Sequence, residues 1–96
     1  MREAAVACYY FDIYNGNVLC RDQEGQECDS PEAIQDEAMH ALPVVAKEAI
    51  PRAATDAQAF TMLVRDRNNT TVYTATLTFA GLRLGDVPIP EHEPSD

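Results

Sequence analysis

From residue 71 to residue 79 the chain alternates without a break: Tyr73, Ala75, Leu77 and Phe79 occupy one parity, and Val72, Thr74, Thr76 and Thr78 the other. Successive side chains of a strand point to opposite faces of a sheet, so this pattern demands a strand with one covered face and one open, threonine-rich face. A helix would scatter the same residues around its circumference. The rest of the chain must therefore supply partner strands and a cover for the apolar face.

The cover is expected between residues 30 and 50. Ser30 is placed to accept a backbone N–H as N-cap, Pro31 suits a first helical position whose N–H would be unpaired anyway, and Glu32 complements the positive end of the helix dipole. Ile34, Ala38, Ala41, Leu42, Val45 and Ala49 then recur at helical spacing, with Asp36, Glu37, His40 and Lys47 on the other side. Pro43 removes the hydrogen bond to the carbonyl of Met39, which predicts a kink or brief break there, and Pro51 is expected to close the helix.

Two hairpins flank this helix. Residues 5–14 are rich in aromatic and β-branched types and run into Asn15-Gly16, a strong hairpin signal, and residues 18–21 return. A two-residue turn sets Ile13 opposite Val18, Phe11 opposite Cys20 and Tyr9 opposite Asp22. That register places Cys8 against Gln23, so no bridge to Cys20 is expected, and Cys20 points inward as a small apolar group. Residues 22–29 read as an acidic loop. Residues 60–65 form the third strand, residues 66–69 a turn that Asn68 or Asn69 can close with positive φ, and residues 71–79 the fourth. Met62 then faces Ala75, Val64 faces Tyr73 and Phe60 faces Leu77, with a loop over residues 67–70. The expectation is an α+β domain of ββαββ order over residues 1–84, a four-stranded antiparallel sheet with one helix on one face. Residues 85–96, with Pro88, Pro90 and Pro94 among acids, read as an acidic tail.

Charge narrows the functional classes. The net charge is −9, with −7 over residues 1–51, +2 over residues 52–84 and −4 over the rest. Nucleic-acid backbones and anionic membranes are bound by clustered Lys and Arg, so neither is an expected partner, and a charged partner should be basic. No apolar run approaches the length of a membrane span, and residues 1–6 do not read as a secretory leader; the cytoplasm is the expected compartment. Cys8, Cys20 and Cys28 are an odd number without a C-x-x-C pair, which fits reduced thiols better than a disulfide framework.

The residues that carry chemistry elsewhere are sparse. Gly16, Gly25, Gly81 and Gly85 form no phosphate-binding signature, and serine occurs only at Ser30 and Ser95. Asp22-Gln23-Glu24-Gly25-Gln26-Glu27 crowds carboxylates beside a glycine, but Gly25 is fourth from Asp22, whereas a calcium loop of the EF-hand type has its glycine sixth. His40 follows Asp36 by one helical turn, a solvated contact unless further ligands converge. Cys28, just before the helix, is the one thiol whose pKa a helix N-terminus would lower. Tyr9, Tyr10 and Phe11 lack the basic groove that a base-stacking sheet needs. No catalytic residue, metal ligand or cofactor is assigned.

Tyr9-Tyr10-Phe11-Asp12-Ile13, Asp22-Gln23-Glu24-Gly25, Glu37-Ala38 with Ala41-Leu42-Pro43, Val64-Arg65-Asp66 and Thr74-Ala75-Thr76-Leu77-Thr78 together resemble a family of short bacterial proteins classed as a domain of unknown function. The resemblance spans about residues 7–84. It departs from that pattern at Cys8, where the family tends to have Arg, and at Asn69, where a turn glycine would fall. It implies the fold and brings no activity or cofactor.

What remains is surface. The open face of the sheet should carry Tyr10, Tyr14, Leu19, Val72, Thr74, Thr76 and Thr78, partly apolar and uncharged, whereas the helix presents acids that repel their own copies. The leading expectation is a non-enzymatic interaction or regulatory module that dimerises with itself through its sheet. The rivals are a small metal-binding protein or enzyme using the acidic region from Asp22 to His40, and an antitoxin-like or nucleic-acid-mimicking partner of a basic protein.

Overall fold

The computed structural model describes residues 6–86. Its elements are β1 (Ala7–Tyr14), β2 (Leu19–Cys20), β3 (Gln26–Cys28), α1 (Pro31–Ala53), β4 (Ala57–Arg65) and β5 (Thr71–Ala80), followed by a single 3-10 turn, Leu84–Asp86. The protein is α+β: one helix and one antiparallel sheet of five strands, in the order β2-β1-β4-β5, with β3 also paired to β1. The fifth strand is β3, which falls inside the segment expected to be a loop. The 3-10 turn occupies the start of the expected acidic tail; the rest of that tail, with Pro88, Pro90, Pro94, His92 and Ser95, and the expectation for residues 1–5, lie outside the described residues.

The second hairpin has the expected register, with Met62 opposite Ala75, Val64 opposite Tyr73 and Phe60 opposite Leu77. A bulge at Val72, the extra residue of β5 across from Val64 and Arg65, then brings Arg65 opposite Thr71. Asp66 builds the turn: its Oδ1 accepts the N–H groups of Asn68 and Thr70 at 2.8 and 2.9 Å, and Asn69 takes the left-handed conformation with φ 66°. Asparagine tolerates that region better than most residues, so it serves where a glycine is the commoner choice.

The first hairpin differs by two residues. Ile13 pairs with Cys20 and Tyr14 with Leu19, so the loop holds four residues rather than two. Asn15 causes this: its Oδ1 accepts from Asn17 N and Val18 N at 3.0 and 2.9 Å, while its own N–H donates to Val18 O at 3.2 Å. The side chain thus stabilises a wider turn than Asn-Gly alone dictates. A shift of two leaves the faces unchanged. Cys20, expected inward, is exposed, because β2 ends at the sheet margin; Cys8 pairs with Glu27 of β3 rather than with Gln23.

α1 starts as expected, with Ser30 Oγ accepting from Ala33 N at 3.1 Å and Pro31 in the first turn. It runs unbroken through Pro43 and Pro51 to Ala53, so neither the break at the first proline nor the stop at the second occurs. Both prolines and Met39 and Lys47, whose carbonyls lose their N–H partners, are exposed, so water can satisfy those carbonyls. Ala54 ends the helix in the left-handed conformation, φ 57°, and donates to Ile50 O at 3.1 Å. Among the described residues no helix is long and apolar enough to cross a membrane.

The core lies between α1 and one face of the sheet. Ile34, Ala38, Leu42 and Ala46, four residues apart, bury one ridge of the helix against Phe60, Met62 and Val64 of β4 and Cys28 of β3. Tyr9, Phe11, Ile13, Tyr73 and Ala75 close its sides. Ala46 completes the row; Ala41 and Ala49, expected within it, are half-buried flanks. Each large side chain buried here contributes about 2 kcal/mol, and the small alanines let the helix approach the sheet.

Candidate functional site

On the face away from the helix, strand alternation presents Tyr10, Asp12 and Tyr14 from β1 and Thr61, Leu63 and Arg65 from β4. Asp12 is the one buried charged residue, 4% exposed, among the described residues. Its Oδ2 accepts from Arg65 Nε at 2.8 Å and its Oδ1 from Arg65 Nη2 at 3.4 Å and from Asp22 N at 2.9 Å. Arg65 spends its other donors on Asp22 O and Asn69 Oδ1, at 3.2 and 3.0 Å, and its guanidinium lies 4.6 Å from the Tyr10 ring centroid. Hydrogen bonding to Asp12 raises the pKa of Arg65 further. A two-pronged Arg–carboxylate contact of this kind is a rigid clamp, and its position mid-sheet joins β1 to β4 and the loop after β2 to both.

Asp22 extends the clamp to the edge of the sheet. Its Oδ2 accepts from Phe11 N at 3.0 Å, and its Oδ1 from Glu24 N and Gly25 N, both at 3.1 Å. Burial opposes its charge, but the N–H groups of Phe11, Gly25 and Glu24, with Arg65 behind them, outweigh this and hold its pKa below the ordinary range. Gly25 has φ 77°, and a Cβ there would lie 2.5 Å from Cys8 Sγ and 2.9 Å from Tyr10 Cε2. Only glycine closes this turn against the sheet without displacing a side chain. The Cys8 side chain in turn pushes the Tyr10 phenol pKa up.

These groups satisfy one another, and no buried side-chain nitrogen or oxygen among the described residues lacks a partner. Their chemistry is that of a lock which fixes the acidic loop on the sheet. Sequence reasoning missed Asp12 and Arg65 because they are 53 residues apart. The available signal was a lone acid within an aromatic strand and a lone base ending an apolar one.

The groups suspected of reactivity are dispersed. His40 Nδ1 lies 2.8 Å from Asp36 O and 3.7 Å from its carboxylate; that backbone contact first, and the charge second, raise its pKa, and both side chains are solvated. His40 is solvated on the helix and Asp22 is held at the sheet edge by Phe11 N–H, while the acidic loop meets the helix at Gln26, whose Nε2 donates to Glu37 Oε1 at 3.0 Å. Among the described residues no three His, Cys, Asp or Glu side chains group as metal ligands. Cys28 is buried, and burial, then Glu37 and Asp29, push its thiol pKa up, the reverse of the activation expected from the helix N-terminus.

The seven residues expected on the open face fall into two groups. Tyr10 is half-buried beneath Arg65, while Tyr14 and Leu19, a cross-strand pair, are exposed at the β2 end. Val72, Thr74, Thr76 and Thr78 are exposed along β5, and Thr76 bonds the Thr61 hydroxyl at 3.0 Å. Between β5 and Arg65 the face holds only Ala57, Ala59, Thr61 and Leu63 of β4, without a charge.

A family model, that of a domain of unknown function (DUF6894), matches residues 8–78. No curated protein and no solved structure matches the chain.

Proposed function

The chain belongs to the DUF6894 family, and from that premise we propose that it is a non-enzymatic interaction module that works as a homodimer held through its sheet. One observation carries this reading. In a chain of net charge −9, the surface formed by β4 and β5 away from the helix carries no charge from Ala57 to Leu63 or from Thr71 to Ala80. Like charges oppose self-association, so two copies approach most favourably where charge is missing. The helix offers the opposite: Glu32, Asp36, Glu37 and Glu48 against Lys47 and Arg52. The buried ion pair supports the reading too, since Asp12 and Arg65 are consumed in holding the acidic loop and are not presented to a substrate.

Sedimentation velocity at about 50 µM protein tests the proposal, with salt raised from about 0.05 to 0.5 M. A sheet-mediated dimer persists or strengthens as the self-repulsion of the acidic chain is screened. A monomer at both salt concentrations overturns it. The net charge favours a second reading, an acidic partner for a basic protein; such a complex weakens over the same salt range.

A further inference from the structure

We infer that two copies join edge to edge along β5, so that their sheets run into one across a two-fold axis. This rests on the homodimer proposed above and names the surface and the mode of pairing.

The two edges of the sheet differ in how their backbone groups are used. On the outer side of β1, β3 pairs with Ala7, Cys8 and Tyr9, the Asp22 carboxylate takes Phe11 N–H, and β2 pairs with Ile13 and Tyr14. That edge is closed within the chain, by strands of two and three residues. β5 is ten residues long and pairs with β4 from Thr71 to Ala80 on one side only. Along its other side, alternate N–H and C=O groups have no strand among the described residues to bond. Sheet proteins ordinarily guard such an edge with lysine, proline, a bulge or brevity. β5 has no lysine, no proline and no brevity: its sequence is Thr-Val-Tyr-Thr-Ala-Thr-Leu-Thr-Phe-Ala, and its one bulge, the extra residue Val72 set against Val64 and Arg65 of β4, lies at its start and leaves Tyr73 to Ala80 regular.

A second copy fits this edge by charge and by shape. The ten uncharged residues of β5 make the longest line along which two acidic chains can meet without opposing like charges. An antiparallel strand meets its own copy about a two-fold axis, an isologous contact that closes after two subunits. With the axis at Ala75, Tyr73 of one copy faces Leu77 of the other on the helix side, and Thr74 faces Thr76 on the open side. Above the edge, Met39 and Pro43 of α1 with Tyr73 and Leu77 line an apolar groove of about 310 Å³. Met39 there is 60% and Leu77 37% exposed. The two grooves lie on the same side of the joined sheet, because rotation about an axis normal to the sheet keeps its faces. With that axis residues 71–79 face one another, and nine residues at about 3.3 Å each give a contact about 30 Å long.

Two variants separate this edge from the open face. Leu77→Lys puts a charge at the edge on the helix side, and Leu19→Lys puts one on the open face at the far end of the sheet. Both are measured by sedimentation, with urea titrations confirming folding, and amide exchange of β5 is followed by NMR in the unsubstituted protein. The expected result is that Leu77→Lys is a monomer, Leu19→Lys stays a dimer, and the outward amides of β5 slow at least about tenfold on dimerisation. A dimer lost in Leu19→Lys but kept in Leu77→Lys overturns edge pairing and leaves the sheet dimer standing. So does a dimer in which alternate β5 amides still exchange as in the monomer, which decides the matter if Leu77→Lys fails to fold. A monomer throughout overturns both proposals.

Discussion

Gly25→Ala is the substitution whose cost follows most directly from the geometry. The residue holds φ 77°, a region that costs an L-residue about 1 to 2 kcal/mol, of which about 0.5 to 1 is returned because alanine restricts the unfolded chain. The new Cβ would also lie 2.5 Å from Cys8 Sγ and 2.9 Å from the Tyr10 ring. Overpacking of this kind costs about 1 to 3 kcal/mol when neighbours must shift. Lifting the loop instead is no cheaper, because it breaks the Asp22 contacts to Phe11, Glu24 and Gly25. Together these give a loss of about 2 to 4 kcal/mol, which lowers the melting temperature by roughly 8 °C or more in a domain of this size. Urea unfolding followed by circular dichroism measures it, at one protein concentration because association adds to apparent stability. Removing the thiol should relieve part of the overlap, so Cys8→Ala with Gly25→Ala should cost about 1 kcal/mol less than the two singles added. A loss under about 1 kcal/mol for Gly25→Ala, or strict additivity with Cys8→Ala, would refute the packing argument.

Two further outcomes follow. Because the folded pKa of Asp22 is depressed, its contribution is fully present above the unfolded value and is lost as pH falls through the lower folded one. Asp22→Asn should therefore flatten the acid limb of stability below about pH 4, and an unchanged limb would show that its bonds to Phe11, Gly25 and Glu24 carry no weight. Ala54 holds a left-handed cap with φ 57° where glycine is preferred, so Ala54→Gly should raise stability by about 0.5 to 1 kcal/mol; a loss in urea titration would count against the capping geometry.

What was legible in the sequence is what short-range periodicity controls. The second hairpin could be registered because residues 71–79 alternate strictly and a tight turn joins them to an apolar strand. The helix start was written in Ser30 and Pro31, whose effects reach three residues at most. The first hairpin is two residues wider than the backbone preference of Asn-Gly predicts because the Asn15 carboxamide oxygen also accepts from the N–H groups of Asn17 and Val18. β3 was invisible because Gln26, Glu27 and Cys28 have no period; they form a strand only once Asp22 and Gly25 have laid the loop against β1. That dependence runs through four residues. Asp12 anchors Arg65 and the loop, Asp22 ties the loop to Phe11, Gly25 lets it lie flat, and Asp66 closes the turn after β4. Each has its reason in backbone geometry. Asp12, Asp22 and Gly25 together seal the β1 margin of the sheet, and the uncharged strand at the other margin, β5, lies outside that seal. The seal leaves β5 as the one long strand paired on a single side among the described residues.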